Sequence, residues 1–313
     1  MSNQYFRFLS HNAEPLRSAF LEQLLARADA GRLVSDWRAD AFRVIAPQAP
    51  WPGVAPAALC ADRAAIDATA VEAAAVDAAP VDAAWVCLAT PVHYVADMNS
   101  VRLPQGGILS MGPAHAAKLA LDFNRVWNGS GIRLAAGGSA RLYGIFDQEL
   151  NVATRDPEDV LGQRIEAYLP AGADAPRLRQ LMSEIEMWLF EHEVNTTRAH
   201  LGVPRVSGLW LWGGGAPLAS LPRVQGWAAG DDVFFSAFKG GESDSGVIVA
   251  SQAPGEAGWH DIESRWLKPA VAQLRAGRLS RLDMSAGERC ISVTARTNRR
   301  FWRRSKPWWE FFA

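Results

Sequence analysis

Near the start of the chain Leu16, Phe20, Leu21, Leu24 and Leu25 recur at helical spacing behind Asn12-Ala13-Glu14-Pro15, and Gly31 follows, so an amphipathic helix is predicted there. Residues 46–56 read as a Pro-rich loop and 58–84 as an alanine-dominated stretch carrying Asp67, Glu72, Asp77 and Asp82. The pattern then turns to short apolar runs. Trp85 to Thr90 with Pro91-Val92-His93-Tyr94-Val95, followed by Val101-Arg102-Leu103, predicts two strands with a tight link. A helix is expected over 114–127, closed by Asn128-Gly129. A hairpin is expected over 132–134 and 141–146, turning at Gly137-Gly138.

The clearest helical period runs over 175–193, where Leu178, Leu181, Met182, Ile185 and Leu189 form one apolar face. Trp188 and His192, four apart, share a neighbouring face, and Asp174 stands as a candidate cap. Gly208-Leu209-Trp210-Leu211-Trp212 is apolar on both faces of a strand, which predicts burial, and it ends in Gly213-Gly214-Gly215. Residues 233–238 and 247–250 read as strands, 262–274 as a helix ended by Gly277, and 279–284 with 290–295 as terminal strands. Helices and strands alternate, so the fold class expected is α/β, or α+β, with a mixed β-sheet flanked by helices. Three successive regions are expected: 1–84, helical and alanine-rich; 85–228, central α/β; and 229–313, C-terminal α/β ending in an aromatic and basic tail.

Composition narrows the classes. With 49% hydrophobic and 21% charged residues among 313, a dominantly disordered or fibrous chain is excluded. Thirty-two basic against thirty-three acidic side chains give a net charge of -1, so any anion site is local rather than a property of the whole surface. Cys60, Cys87 and Cys290 are odd in number and make no C-x-x-C pair, which fits neither a disulfide framework nor a zinc ribbon. No apolar run approaches the roughly 18 residues of a membrane span, and the N-terminus lacks a signal-like pattern. A cytoplasmic protein with no membrane partner is expected.

The most specific chemistry lies in His192-Glu193-Val194-Asn195-Thr196-Thr197-Arg198 and the glycine run that follows the tryptophan-rich strand. Glycines after a strand let backbone N–H groups approach an anion, and Asn195 and Arg198 offer polar contacts from a helix end. His192, Asn195, Arg198, Gly213, Gly214 and Gly215 are therefore the candidate anion-binding residues. They are expected in one cleft, with the glycines beside the end of the long helix. The competing reading is a tight turn in a buried corner, with Arg198 paired to Glu191 or Glu193. A P-loop is excluded because no Gly-Lys-Ser or Gly-Lys-Thr follows, and a zincin motif fails because the second histidine position is Thr196. At the C-terminus Trp302, Arg303, Arg304, Trp308, Trp309, Phe311 and Phe312 interleave cations and aromatics as candidate partner contacts. The alternative is an arm whose rings pack over the core while its arginines stay solvated.

Ala84-Trp85 leading to Thr90-Pro91-Val92-His93, then Glu184-Ile185-Glu186-Met187, His192 to Arg198, and Leu209-Trp210-Leu211-Trp212-Gly213-Gly214-Gly215 together resemble the RpfE-type bacterial regulatory proteins. That family is related to the cofactor-independent, archaeal-type phosphoglycerate mutases, and the likeness runs over about residues 58–305. It implies alkaline-phosphatase-like and mutase-like fold elements. Those enzymes hold two divalent metals with aspartates and histidines and use a serine or threonine nucleophile. Here Ser10-His11 follows Tyr5 to Leu9, the first aspartate is Asp29, and Trp259-His260-Asp261 stands isolated. The expectation is a mutase-like core without the full metal site, with no cofactor, metal or catalytic residue assigned.

The resemblance thus implies a regulatory or accessory pseudoenzyme that binds a phosphorylated small molecule or a protein. A 2,3-bisphosphoglycerate-independent mutase-like enzyme is the first alternative. A nucleic-acid-associated module acting through the tail is the second.

Overall fold

The computed structural model describes residues 2–8, 17–29, 31–62, 83–137, 140–230, 232–238, 241, 243–250, 260–300 and 302–312. The chain opens with strand β1 (Ser2–Phe8), helix α1 (Ala19–Arg27), strand β2 (Arg32–Leu33), helix α2 (Trp37–Ile45) and helix α3 (54–62). Next come β3 (Trp85–Val92), β4 (Val95–Asp97), β5 (Ser100–Arg102), α4 (Pro113–Val126), β6 (Ile132–Ala136) and β7 (Leu142–Phe146). Then follow α5 (Ala175–Glu191), α6 (Glu193–His200), β8 (Gly208–Gly215), β9 (Trp227–Gly230) and β10 (Gly246–Ala250). Helix α7 (Lys268–Arg275) and strands β11 (Leu279–Ala286) and β12 (Arg289–Thr294) complete the order. The fold is mixed α/β with a mixed sheet flanked by helices, as the alternation predicts.

Contacts divide the chain into two compact units, Met1–Trp51 with Pro222–Ala313, and Pro52–Leu221. In the first unit the sheet order is β2-β12-β11-β1-β10-β9. β1 runs parallel to both β10 and β11, so the N-terminal segment belongs with the C-terminal one. One face of this sheet is apolar. Phe6, Phe8, Ile248, Leu282, Met284, Ile291 and Val293 pack beneath Leu21, Leu24 and Leu25 of α1 and Ala270, Val271 and Leu274 of α7. The other face carries Tyr5, Arg7, Asp283, Ser285 and Cys290, all buried, against α2. Arg7 and Arg38 lie 4.7 and 4.5 Å from the same Trp37 ring, and Arg38 pairs with buried Asp232 at 2.8 Å.

Two local readings are corrected. Residues 233–238 form a turn and a 3-10 segment, Phe235–Ala237, because the Asp232 carboxylate accepts from the Phe234 and Phe235 N–H groups at 2.9 and 3.0 Å and winds the backbone. Asp174 makes no side-chain cap on α5; its carboxylate accepts instead from the Asn151 N–H at 2.7 Å. The hairpin β6–β7 forms as expected, although Gly138 lies outside the described residues, as do 63–82 of the alanine-rich stretch.

The tail partitions. Trp308 and Phe312 join the core cluster, with ring centroids 5.7 and 6.4 Å from Phe8, and Trp309 and Phe311 pack against it half-buried. The protein's own sheet thus removes much of this aromatic area from water. Trp302, Arg303 and Arg304 are exposed, and Arg303 donates to the Ala28 carbonyl at 2.9 Å.

In the second unit the sheet is antiparallel, ordered β6-β7-β3-β8, with β4 and β5 as a separate ribbon. α4 packs on β6 and α5 on β8. The two helices meet through Phe123, Trp127 and Trp188. Among the described residues no helix is long and apolar enough to cross a membrane.

Candidate functional site

The long helix stops where its apolar period stops. α5 buries Leu178, Met182, Ile185 and Leu189, and His192 terminates it in extended conformation while serving as the N-cap of α6. The imidazole Nδ1 accepts from the Val194 N–H at 3.1 Å, which places the ring proton on Nε2, 3.4 Å from Asp122 of α4. Trp188 meets the ring edge-on at 4.6 Å, so the shared face read from the sequence is real. Burial lowers the His192 pKa, against the opposing pull of Asp122. Burial pushes the Asp122 carboxyl up, but Lys118, His192 and Arg125 hold it below the usual carboxylate range.

Asn195 is buried and spent. Its Nδ2 donates to the carbonyls of Leu189 and Val206 at 2.7 and 2.9 Å, and its Oδ1 accepts from the Val206 N–H at 2.8 Å. The side chain thus closes the α5–α6 corner onto the segment entering β8. Arg198 pairs with neither Glu191 nor Glu193. Its Nε donates to the Pro204 carbonyl at 2.6 Å, its Nη1 reaches the Ser110 carbonyl at 3.5 Å, and burial lowers its pKa. Glu193 instead pairs with Lys118 at 3.2 Å.

The glycines lie at the other end of β8. Asn195 grips Val206 just before the strand, whereas Gly213 is seven residues further on, which at about 3.3 Å per residue is roughly 20 Å away. The expected single cleft does not form, because a fully extended strand separates the two halves of the motif. The glycines serve close packing. A Cβ on Gly214 would fall 1.9 Å from the Trp85 ring, and one on Gly215 3.2 Å from Pro56. Gly213 takes φ +67, and its N–H donates to Thr154 Oγ1 at 3.1 Å. Gly214→Ala is accordingly expected to destabilise the second unit by about 1–3 kcal/mol through overpacking. Urea unfolding measures the loss, and adding Trp85→Leu in the same chain should recover part of it as a coupling energy.

The other motif pieces contact β8 or the segment entering it. Thr90 Oγ1 accepts from Trp212 Nε1 at 2.8 Å, the Arg155 carbonyl from Trp210 Nε1 at 2.7 Å, and His93 Nδ1 lies 3.0 Å from the Arg205 carbonyl. Glu186, its pKa raised by burial, would lie 3.2 Å from a Cβ on Gly208. Asp122, Thr154 and Arg155 complete these contacts, and nothing in the motif pointed to them. The sole sequence signal was Asp122 at helical spacing from Lys118 and Arg125. Among the described residues no three His, Cys, Asp or Glu side chains gather to hold a metal, so no described cluster fits a paired metal centre; Ser10, His11 and Trp259 lie outside them.

No family model matches the chain. Over 107 residues it is 33% identical to the 2,3-bisphosphoglycerate-independent phosphoglycerate mutase of Methanothrix thermoacetophila, covering 34% of this chain and 26% of that one. Over 66 residues it is 38% identical to 2,3-bisphosphoglycerate-independent phosphoglycerate mutase 2 of Methanothermobacter thermautotrophicus, covering 21% and 16%. The matches thus span about a quarter or less of these relatives' length. Among solved structures, the cofactor-independent phosphoglycerate mutase from Thermoplasma acidophilum aligns with 94% of this chain and 90% of its own, at 13% identity and a TM-score of 0.37. The sequence relatives are cofactor-independent phosphoglycerate mutases.

Proposed function

We propose that this chain is an RpfE-type regulatory or accessory protein on a phosphoglycerate-mutase-like core, which acts by binding a protein partner and performs no phosphoryl transfer. The observation that carries this reading is the use of the motif. His192 is committed to the cap of α6, Asn195 to the segment entering β8, and the glycines of β8 to packing. The likeness to the mutases is on this view a likeness of scaffold, retained because the strand needs its supports. Met187, Phe190 and Leu201 stand exposed around the same corner and offer a partner apolar surface. The three unpaired thiols fit a reducing, cytoplasmic setting.

A coupled assay converting 3-phosphoglycerate to 2-phosphoglycerate, with magnesium or manganese supplied, is expected to show no turnover above background. Turnover at about 1 s⁻¹ or faster, ordinary for enzymes, would overturn the reading in favour of a mutase-like enzyme. A melting temperature unmoved by millimolar phosphoglycerate favours the protein partner over the phosphorylated ligand.

A further inference from the structure

We propose that the junction of α5 and α6 is a proton-sensitive joint: the unprotonated Nδ1 of His192 holds the first turn of α6, and protonation releases that turn together with Asn195 and Arg198. Helix caps are ordinarily supplied by Ser, Thr, Asp or Asn, whose acceptor oxygens persist at neutral and mildly acidic pH. Here the acceptor is an imidazole nitrogen, 3.1 Å from the Val194 N–H, and it ceases to be an acceptor once it carries a proton. Beyond this cap α6 is held by the Asn195 bonds to Leu189 and Val206, the Arg198 bond to the Pro204 carbonyl and the Lys118–Glu193 pair. It is eight residues long, too short to persist alone, and it buries only Val194 and Asn195.

The surroundings decide how readily the joint opens. On α4, Asp122 faces Nε2 at 3.4 Å and favours the imidazolium. That carboxylate is already shared with Lys118 at 3.0 Å and Arg125 at 3.2 Å, so its support for a further cation is divided. Lys118 itself opposes the imidazolium, and Glu193 of α6 favours it. From α5 the Trp188 ring covers one side and contributes no charge. The His192 side chain is 7% exposed, and burial makes the cation costly, so the net shift is downward. A lowered value means that, as pH falls below about 6.5, the unfolded chain takes up its proton before the folded one does. Stability contributed by His192 is therefore full above about 6.5 and is lost as pH falls through the folded value. The joint acts in this way whatever partner the chain binds.

The full chain melted at pH 7.5 and pH 5.0, beside His192→Asn, tests this. Asparagine keeps a cap oxygen and removes the titration. The wild type should lose roughly 2–4 °C more than the variant over this interval, and the protection of the Val194 and Val206 amides against hydrogen exchange should fall with it. Equal losses in both proteins would overturn the joint. So would a nitrogen resonance showing the His192 proton on Nδ1 at neutral pH. Should His192→Asn fail to fold, the wild-type imidazole titration read against Val194 amide protection decides alone: coincident midpoints uphold the joint, and independent ones refute it.

Discussion

Deletion of residues 306–313 is expected to leave the first unit unfolded at 37 °C. The segment removes Trp308 and Phe312, both 6% exposed, from a cluster that also holds Phe6, Phe8, Leu21, Leu24 and Met284. Truncating a buried Phe or Trp costs about 3–5 kcal/mol through lost transfer energy and the cavity left behind. Two such losses approach the whole of an ordinary domain's stability, about 5–15 kcal/mol. Half-buried Trp309 and Phe311 add to the exposed area, so aggregation should accompany the loss. Circular dichroism melting of the truncated chain reads the effect. A paired change of Arg303 and Arg304 to alanine, on the exposed part of the same tail, should move the melting curve little. If the truncated chain melts as the full one does, the tail is a passive extension and its aromatic contacts carry no weight.

Asn195→Ala should cost about 3 kcal/mol or more, a loss confined to the second unit. It strips the Val206 N–H and carbonyl of their partner in a buried position, while Leu189 keeps only the His192 N–H on its carbonyl. Each buried backbone group left without a partner costs about 1–3 kcal/mol. Asn195→Asp should be worse, since a carboxylate keeps the bond to the Val206 N–H but faces two carbonyl oxygens with no proton to give. Urea denaturation of the three proteins, with hydrogen exchange at Val206, gives the order. An aspartate variant as stable as the wild type would show that water enters the corner and that Asn195 is not the clamp described.

Where periodicity and burial agreed, the sequence was legible. α5 could be placed because Leu178, Met182, Ile185 and Leu189 all face the core, and β8 because leucines and tryptophans are apolar on both of its faces. α2 escaped because Arg38, Asp40 and Arg43 interrupt its apolar positions, although Asp36 is a cap by residue type and its side chain accepts from the Ala39 N–H at 3.0 Å. Residues 233–238 misled because an apolar run does not reveal whether a preceding aspartate will fold it into a turn. The motif around His192 was expected in one cleft, and the fold does not bring its two halves together. Residues near one another in sequence were read as near one another in space, whereas an extended strand carries Gly213 away from Asn195. No spacing along a chain tells which end of a strand will receive a helix. The partners that define the corner, Asp122 above all, come from an element some seventy residues earlier.

The two units also differ in when they can exist. Residues 52–221 are contiguous, and every strand of their sheet is available once that stretch has left the ribosome. β1 is made first yet lies between β10 and β11; the Asn3 N–H finds Ser245 Oγ across 242 residues. Until those strands emerge, Tyr5, Phe6 and Phe8 lack both of the strands that flank them in the sheet, and closing so long a loop is slow. A nascent chain therefore carries the aromatic rings of β1 without their sheet partners while residues 52–221 fold. Through that interval β1 is the segment most open to chaperones or to another chain's sheet edge.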